Sequence, residues 1–233
     1  MLQVQTETKK LPPTVDPIGI HSFLDTLNYP LYFFDFETYM AAIPPFDDTS
    51  PYTQIPFQYS LHILDKKNGT LEHREFLARE GTDPRRPLAE KLCRDIPCGA
   101  CVIAYNMGFE KRILIELAAN FPDFSDHLMD IYALMKDIML PFQTHAYYRR
   151  EFVGSYSIKA LLPALYPGNK ELDNSNLNSI HDVSEAMDAF PTLHERSPKE
   201  IVGIREALLA YCRLDTLGMV RILEFLEREV SKD

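Results

Sequence analysis

The chain has 233 residues, 45% hydrophobic and 25% charged, the balance of a soluble globular protein with room for one sizeable domain or two small ones. No apolar run approaches the ~20 residues of a membrane helix, and the N-terminal "MLQVQTETKKLPPTVDP" lacks the apolar centre of a secretory signal, so no membrane partner is expected. A formal charge of −10 argues against a protein that coats duplex nucleic acid through phosphate contacts alone, and four cysteines make no disulfide framework, so a cytoplasmic protein is expected.

In chain order, residues 1–20 carry "LPPTVDP" and few apolar side chains, which predicts an extended lead-in. Such a segment suits a junction with an upstream domain of a longer chain, leaving 21–233 as the domain proper. "HSFLDTL" (21–27) predicts a short helix and "LYFFDFET" (31–38) the opening strand. "AAIPPFDDTSPYTQIP" holds four prolines and reads as a loop. "FQYSLHILDKKNGTLEHREFLA" predicts two strands around an Asn68-Gly69 turn. "TDPRRPLAEKLCRDI" predicts a helix with Asp83 as N-cap and Pro84 at its first position. "CVIAYN" (101–106) is a short buried strand, and "GFEKRILIELAAN" an amphipathic helix with apolar residues at 109, 113, 114 and 117. "DIYALMKDIM" and "YSIKALLPALY" predict short helices, and residues 167–196 an irregular polar loop. The last helix opens at "SPKE", where Ser197, Pro198 and Glu200 fit a capping box, and a bend is expected near Asp215 or Gly218. This order describes an α/β domain whose mixed sheet of about five strands is flanked by helices, with a site where strands end.

Asp35 and Glu37 stand two apart in the most hydrophobic strand, so both point to one face. Burying two adjacent carboxylates is costly, and no lysine or arginine lies in the flanking strand residues. A hard cation such as Mg²⁺ or Mn²⁺ meets that cost, while a solvated strand end explains the pair equally well from this segment alone. "YCRLD" then places Tyr211 and Asp215 at i and i+4 on one helix face. "AYNMGFEKRIL" places Asn106 at a strand end, Gly108 in a turn and Glu110 in a first helical turn, where the macrodipole alone already favours an acid.

D-x-E in a first strand, an acid after N-x-x-F at a helix start and Y-x-x-x-D in a late helix together resemble the DnaQ-like proofreading 3′–5′ exonucleases, DEDDy type, of the ribonuclease H-like superfamily. The resemblance spans about residues 31–225. More narrowly, "YPLYFFDFET", "IPFQYSLHIL", "YSIKALLPALYP" and "LAYCRLDT" resemble a bacterial family classed as a domain of unknown function. The resemblance implies a ribonuclease H-like three-layer fold and a two-metal hydrolase using Mg²⁺ or Mn²⁺, two ions, at a single-stranded DNA or RNA 3′ end. It implies that Asp35, Glu37 and Asp215 hold the metal that binds the attacking water. Asp35 and Glu110 then serve a second metal, and Tyr211 orients the water. The second motif usually carries Asp, so with Glu110 direct ligation, ligation through water and weakened second-metal binding all stay open. A catalytically weak or inactive nucleic-acid-binding module of the same fold is the alternative. Asp130 is the fallback acid but reads better as the N-cap of the helix after it.

Asn106, Phe109, Gln58 and Lys159 are the expected substrate contacts, with Gln54 beside Gln58. "YYRREF" (147–152) interleaves aromatics with arginines and offers stacking for a single strand, or an amphipathic loop. Lys111 and Arg112 face a phosphate or solvent, and Ser155 or Ser157 caps a helix. Cys98-Gly-Ala-Cys101 has metal-like spacing but no second pair, so it reads as structural. His62, His145, His181 and His194 show no ligand spacing.

Overall fold

The computed structural model describes residues 12–172 and 183–231. A two-residue strand β1 (Thr14–Val15) leads into helix α1 (Pro17–Leu24), which buries Ile20 and Phe23. The central strand β2 (Leu31–Tyr39) is followed by β3 (Ile55–Leu64) and β4 (Leu71–Leu77). Helix α2 (Arg85–Asp95), strand β5 (Cys101–Ala104), helices α3 (Gly108–Asn120) and α4 (Ser125–Leu134), and strand β6 (Lys136–Asp137) complete the first half. Then come α5 (Leu140–Gln143), β7 (Tyr147–Tyr148), α6 (Ile158–Leu165), α7 (Val183–Ala189) and α8 (Pro198–Val230).

The sheet runs β4-β3-β2-β5-β6, with β3 antiparallel to both β2 and β4, and β5 and β6 parallel to β2. It is the five-stranded mixed sheet expected of an α/β chain. The alternation of β2 explains why helices cover both faces. Leu31 and Phe33 join the core built with α1, α6 and α8. Tyr32, Phe34 and Phe36 join the one built with α2, α3 and α4. By the same alternation Asp35 and Glu37 lie on the α8 side. The 33 residues of α8 begin at the expected capping box, where Ser197 accepts from the Glu200 N–H and the Glu200 carboxylate accepts from the Ser197 N–H. A Cβ on Gly218 would meet Leu162 Cδ1 at 2.6 Å, so glycine here lets α6 close on α8.

The structure corrects several local expectations. Within the described part of the 1–20 lead-in, Thr14–Val15 are extended as strand β1, but from Pro17 the chain is helical. β1 pairs with β7, Asp16 N–H donates to Ala146 O at 2.7 Å, and α1 starts at Pro17 rather than His21. Residues 1–11 and 173–182 lie outside the described residues, including part of the expected lead-in and of the expected 167–196 loop. The rest of that loop holds α7 and short 3-10 turns at Lys170–Leu172 and Leu193–Glu195. "DIYALMKDIM" is split, because Lys136 and Asp137 leave the helix to pair with Ile103 and Ala104. Asp130 caps nothing; it lies inside α4 and accepts the Gly99 N–H at 2.7 Å. Asp83 precedes the cap of α2, which falls at Pro84, and accepts the Arg85 N–H and guanidinium instead. α8 is one unbroken helix through Asp215 and Gly218. Among the described residues no helix is long and apolar enough to cross a membrane.

Candidate metal centre

Three remote segments meet at the end of β2. The strand presents Asp35 and Glu37, and α8, packed across β2 and β3, presents Tyr211 and Asp215 one turn apart. After β5 the chain reverses tightly: Asn106 adopts φ 60°, and Asp137 on β6 accepts the N–H groups of Asn106, Met107 and Met139 at 2.9, 3.2 and 3.0 Å. That clamp starts α3 at Gly108 and puts Glu110 in its first turn. All five expected catalytic residues, together with Asn106, Phe109 and Lys159, line one cavity of about 290 Å³.

Gln58 does not reach the cavity. It pairs with Glu37 across the strands, is fully buried, and donates Nε2 to the Leu208 carbonyl at 2.8 Å, so it ties β3 to α8. Gln54 accepts a hydrogen bond from Thr38, a cavity residue. "YYRREF" is no open stacking platform: Tyr147, Tyr148 and Phe152 are buried, and Arg149 and Arg150 both bond Glu151. Lys111 lies over the Tyr132 ring and Arg112 over Phe109. Ser157 caps α6 by accepting the Ala160 N–H. Sequence reasoning missed Asp137 and Cys212 as neighbours of this site. Asp137 ends a two-residue strand, which has no period to detect, and Cys212 reads as an ordinary small core residue.

Within the cavity, carboxylates outnumber cations four to one, since Lys159 is the sole lysine or arginine among the described lining residues. Burial pushes Asp35 well above the ordinary carboxylate range, and the charges of Asp215, Glu110 and Glu37 push it further. Glu37 is raised by burial and by Asp215, with Lys159 opposing. Burial lifts Glu110 to about 8 and Asp215 to about 6, Lys159 opposing the latter. Glu110 is 3% exposed, and its Oε2 has no hydrogen-bond partner among the described residues. Lys159 Nζ donates to the Tyr211 hydroxyl at 3.0 Å. Burial and then the Asp215, Glu37 and Asp35 charges raise Tyr211 far above its ordinary range, so it keeps its proton.

The ligand atoms of Asp35, Glu37 and Cys212 lie within 4.8 Å of one another; Asp215 and Glu110 line the same cavity without joining that triplet. Hard oxygen donors that mutually disfavour ionisation, one of them buried with an unmatched oxygen, suit a divalent cation, which relieves the repulsion and satisfies the orphaned atom.

Behind the carboxylates lies a neutral polar layer. Thr216 Oγ1 bonds Ser60 Oγ at 2.7 Å and His62 Nδ1 at 2.8 Å, and Ser60 Oγ bonds His73 Nε2 at 2.9 Å. Burial lowers His62 to about 3 and His73 to about 4, so both rings stay uncharged near neutrality. Because Ser60 pairs with Asp35 and Thr216 follows Asp215, this layer fixes the seating of α8 on β2 and β3.

A family model described as a domain of unknown function (DUF2779) matches residues 32–157, over half of the chain. The matched span carries Asp35, Glu37 and Glu110, whereas Lys159, Tyr211 and Asp215 lie beyond it. No curated protein and no solved structure matches.

Proposed function

The chain belongs to this family of unknown function, DUF2779, and from the cavity we propose that it is a divalent-metal-dependent 3′–5′ exonuclease acting at a single-stranded nucleic-acid end. The observation that carries the reading is the convergence of Asp35, Glu37, Glu110, Asp215 and Tyr211, from three remote segments, on one cavity of about 290 Å³. The ribonuclease H-like identity and the 3′ polarity rest on the resemblance of the motifs, and the mixed sheet with helices on both faces supports the former.

Asp35, Glu37 and Asp215 are the residues to hold one cation, and Asp35 with Glu110 a second. A pair of divalent ions supplies an activated water and charge neutralisation for phosphodiester cleavage. The chain's own groups supply orientation. Tyr211 accepts a hydrogen bond from Lys159, which leaves its O–H free to donate to a water or a phosphate oxygen. A phenol that keeps its proton acts here as an orienting donor rather than a base. Lys159 puts the cavity's ammonium beside the place a phosphate must enter. Asn106 and Phe109 offer an amide and a ring at the same wall, and a cavity this small fits one terminal unit of a strand.

The second reading is a catalytically weak binding module, favoured by Glu110 standing where the motif usually has Asp and by Asp215 and Glu110 lying outside the tight triplet. A 3′-labelled oligonucleotide separates the two. The exonuclease reading expects Mn²⁺-dependent release of label, digestion of a 5′-blocked substrate, and loss of both in Asp35→Asn. Binding without cleavage supports the module, and full cleavage in EDTA refutes the metal-dependent enzyme.

A further inference from the structure

Cys212 follows Tyr211 on α8 and turns its side chain toward β2 rather than into the apolar core alone. It is fully buried, and its Sγ lies 3.8 Å from the Asp35 carbonyl oxygen and 3.9 Å from Asp35 Oδ2. Zinc bonds of ~2.3 Å to sulfur and ~2.1 Å to oxygen keep two tetrahedral ligand atoms roughly 3.6 Å apart. The sulfur–carboxylate spacing is therefore within tenths of an ångström of one shared ion. Glu37 completes three ligand atoms that all lie within 4.8 Å of one another.

A second feature of the cavity points independently to a ligand. Glu110, 3% exposed, leaves Oε2 without a hydrogen-bond partner among the described residues while lining the same space. Glu110 stands outside the triplet, but its unmatched oxygen opens on the same cavity as Asp35 and Glu37 and marks that space as suited to a cation.

We propose that Asp35, Glu37 and Cys212 form a thiolate-containing site for a borderline-soft divalent ion, Zn²⁺ by preference, which shares Asp35 and Glu37 with the site for hard ions in the adjoining cavity. Mg²⁺ and Mn²⁺ favour oxygen and draw on the carboxylates, whereas a thiolate selects zinc-like ions. Zn²⁺ enters as the Cys212 S–H bond breaks, the sulfur keeping the electron pair for the S–Zn bond and the proton leaving to solvent. Held by Cys212, the ion occupies Asp35 and Glu37 in a mode that excludes the paired hard ions, so zinc inhibits whatever reaction those ions support. The inference rests on the cavity being a divalent-cation site, and not on the nuclease reaction itself.

The test uses the full chain, freed of metal and titrated with Co²⁺ as a spectroscopic stand-in for Zn²⁺, with Zn²⁺ and Mn²⁺ calorimetry alongside. The unmodified protein is expected to develop a near-ultraviolet sulfur-to-cobalt charge-transfer band. Cys212→Ser is expected to abolish the band and weaken Zn²⁺ binding by at least about tenfold, with Mn²⁺ affinity changed by less than about threefold. A triple variant, Cys93→Ser, Cys98→Ser, Cys101→Ser, keeps Cys212 and is expected to retain the band, which covers the case of a poorly folded Cys212→Ser. Mn²⁺ binding with no thiolate band, or a band that survives in Cys212→Ser or vanishes in the triple variant, overturns the role of Cys212. Failure of every ion to bind overturns the cation site as well.

Discussion

Replacing Asp215 by Asn is predicted to stabilise the metal-free protein while it removes a ligand of the proposed metal site. Asp215 lies in a cavity where burial lifts its carboxyl from the ordinary 3.8 to about 6. At about 1.36 kcal/mol per pH unit that difference is worth about 3 kcal/mol. Asp215 keeps partial exposure through the cavity, and water there returns part of the cost, leaving about 1–3 kcal/mol. The sign follows from linkage: with the folded value raised, the native state holds the proton more tightly than the unfolded chain. The contribution is full below 3.8 and is lost as pH rises through about 6. Asn never ionises and so escapes that loss. Thermal unfolding in EDTA, followed by circular dichroism, should show Asp215→Asn melting roughly 2–12 °C above the parent at about pH 8, with the two converging at about pH 4. Added Mn²⁺ should raise the parent's melting point and leave the variant's nearly unmoved. A variant less stable than its parent at pH 8 in EDTA would refute the claim that this carboxylate is held under electrostatic stress.

Three other substitutions probe the surroundings. Lys159 lowers Glu37 and Asp215, so Lys159→Met raises both further, and the pH midpoint of Mn²⁺ binding by calorimetry should move upward. Thr216→Val strips one partner from Ser60, which keeps His73, and the Thr216 partner from His62, and should cost about 1–3 kcal/mol in urea unfolding, without changing the slope. Gly218→Val drives a side chain into Leu162, where even a bare Cβ would lie 2.6 Å from Cδ1. It should cost about 1–3 kcal/mol and weaken the proposed exonuclease activity by displacing α6, which carries Lys159.

The elements that position the site were legible where a long period marks them. β2 shows its alternation and its misplaced acids, α3 runs over the expected 108–120, and α8 opens at its capping box. What sequence reading missed depends on partners far along the chain. β1, β6 and β7 are two residues each and exist only because a neighbour offers hydrogen bonds. Gln58 looks like a substrate contact until α8 supplies the Leu208 carbonyl, 150 positions later. Asp137 holds the turn before Glu110 from a strand that no pattern announces. Cys212 gains its chemistry only from the approach of Asp35 across the α8–β2 interface.

Diffraction from a crystal soaked in Mn²⁺, with anomalous differences recorded, bears most directly on the idea that these acids form a cation site. A cation site there requires manganese peaks within the cavity, bonded to oxygens of Asp35, Glu37 and Asp215, with Glu110 beside the second. A saturating soak that leaves that cavity without manganese while ions bind elsewhere would contradict it.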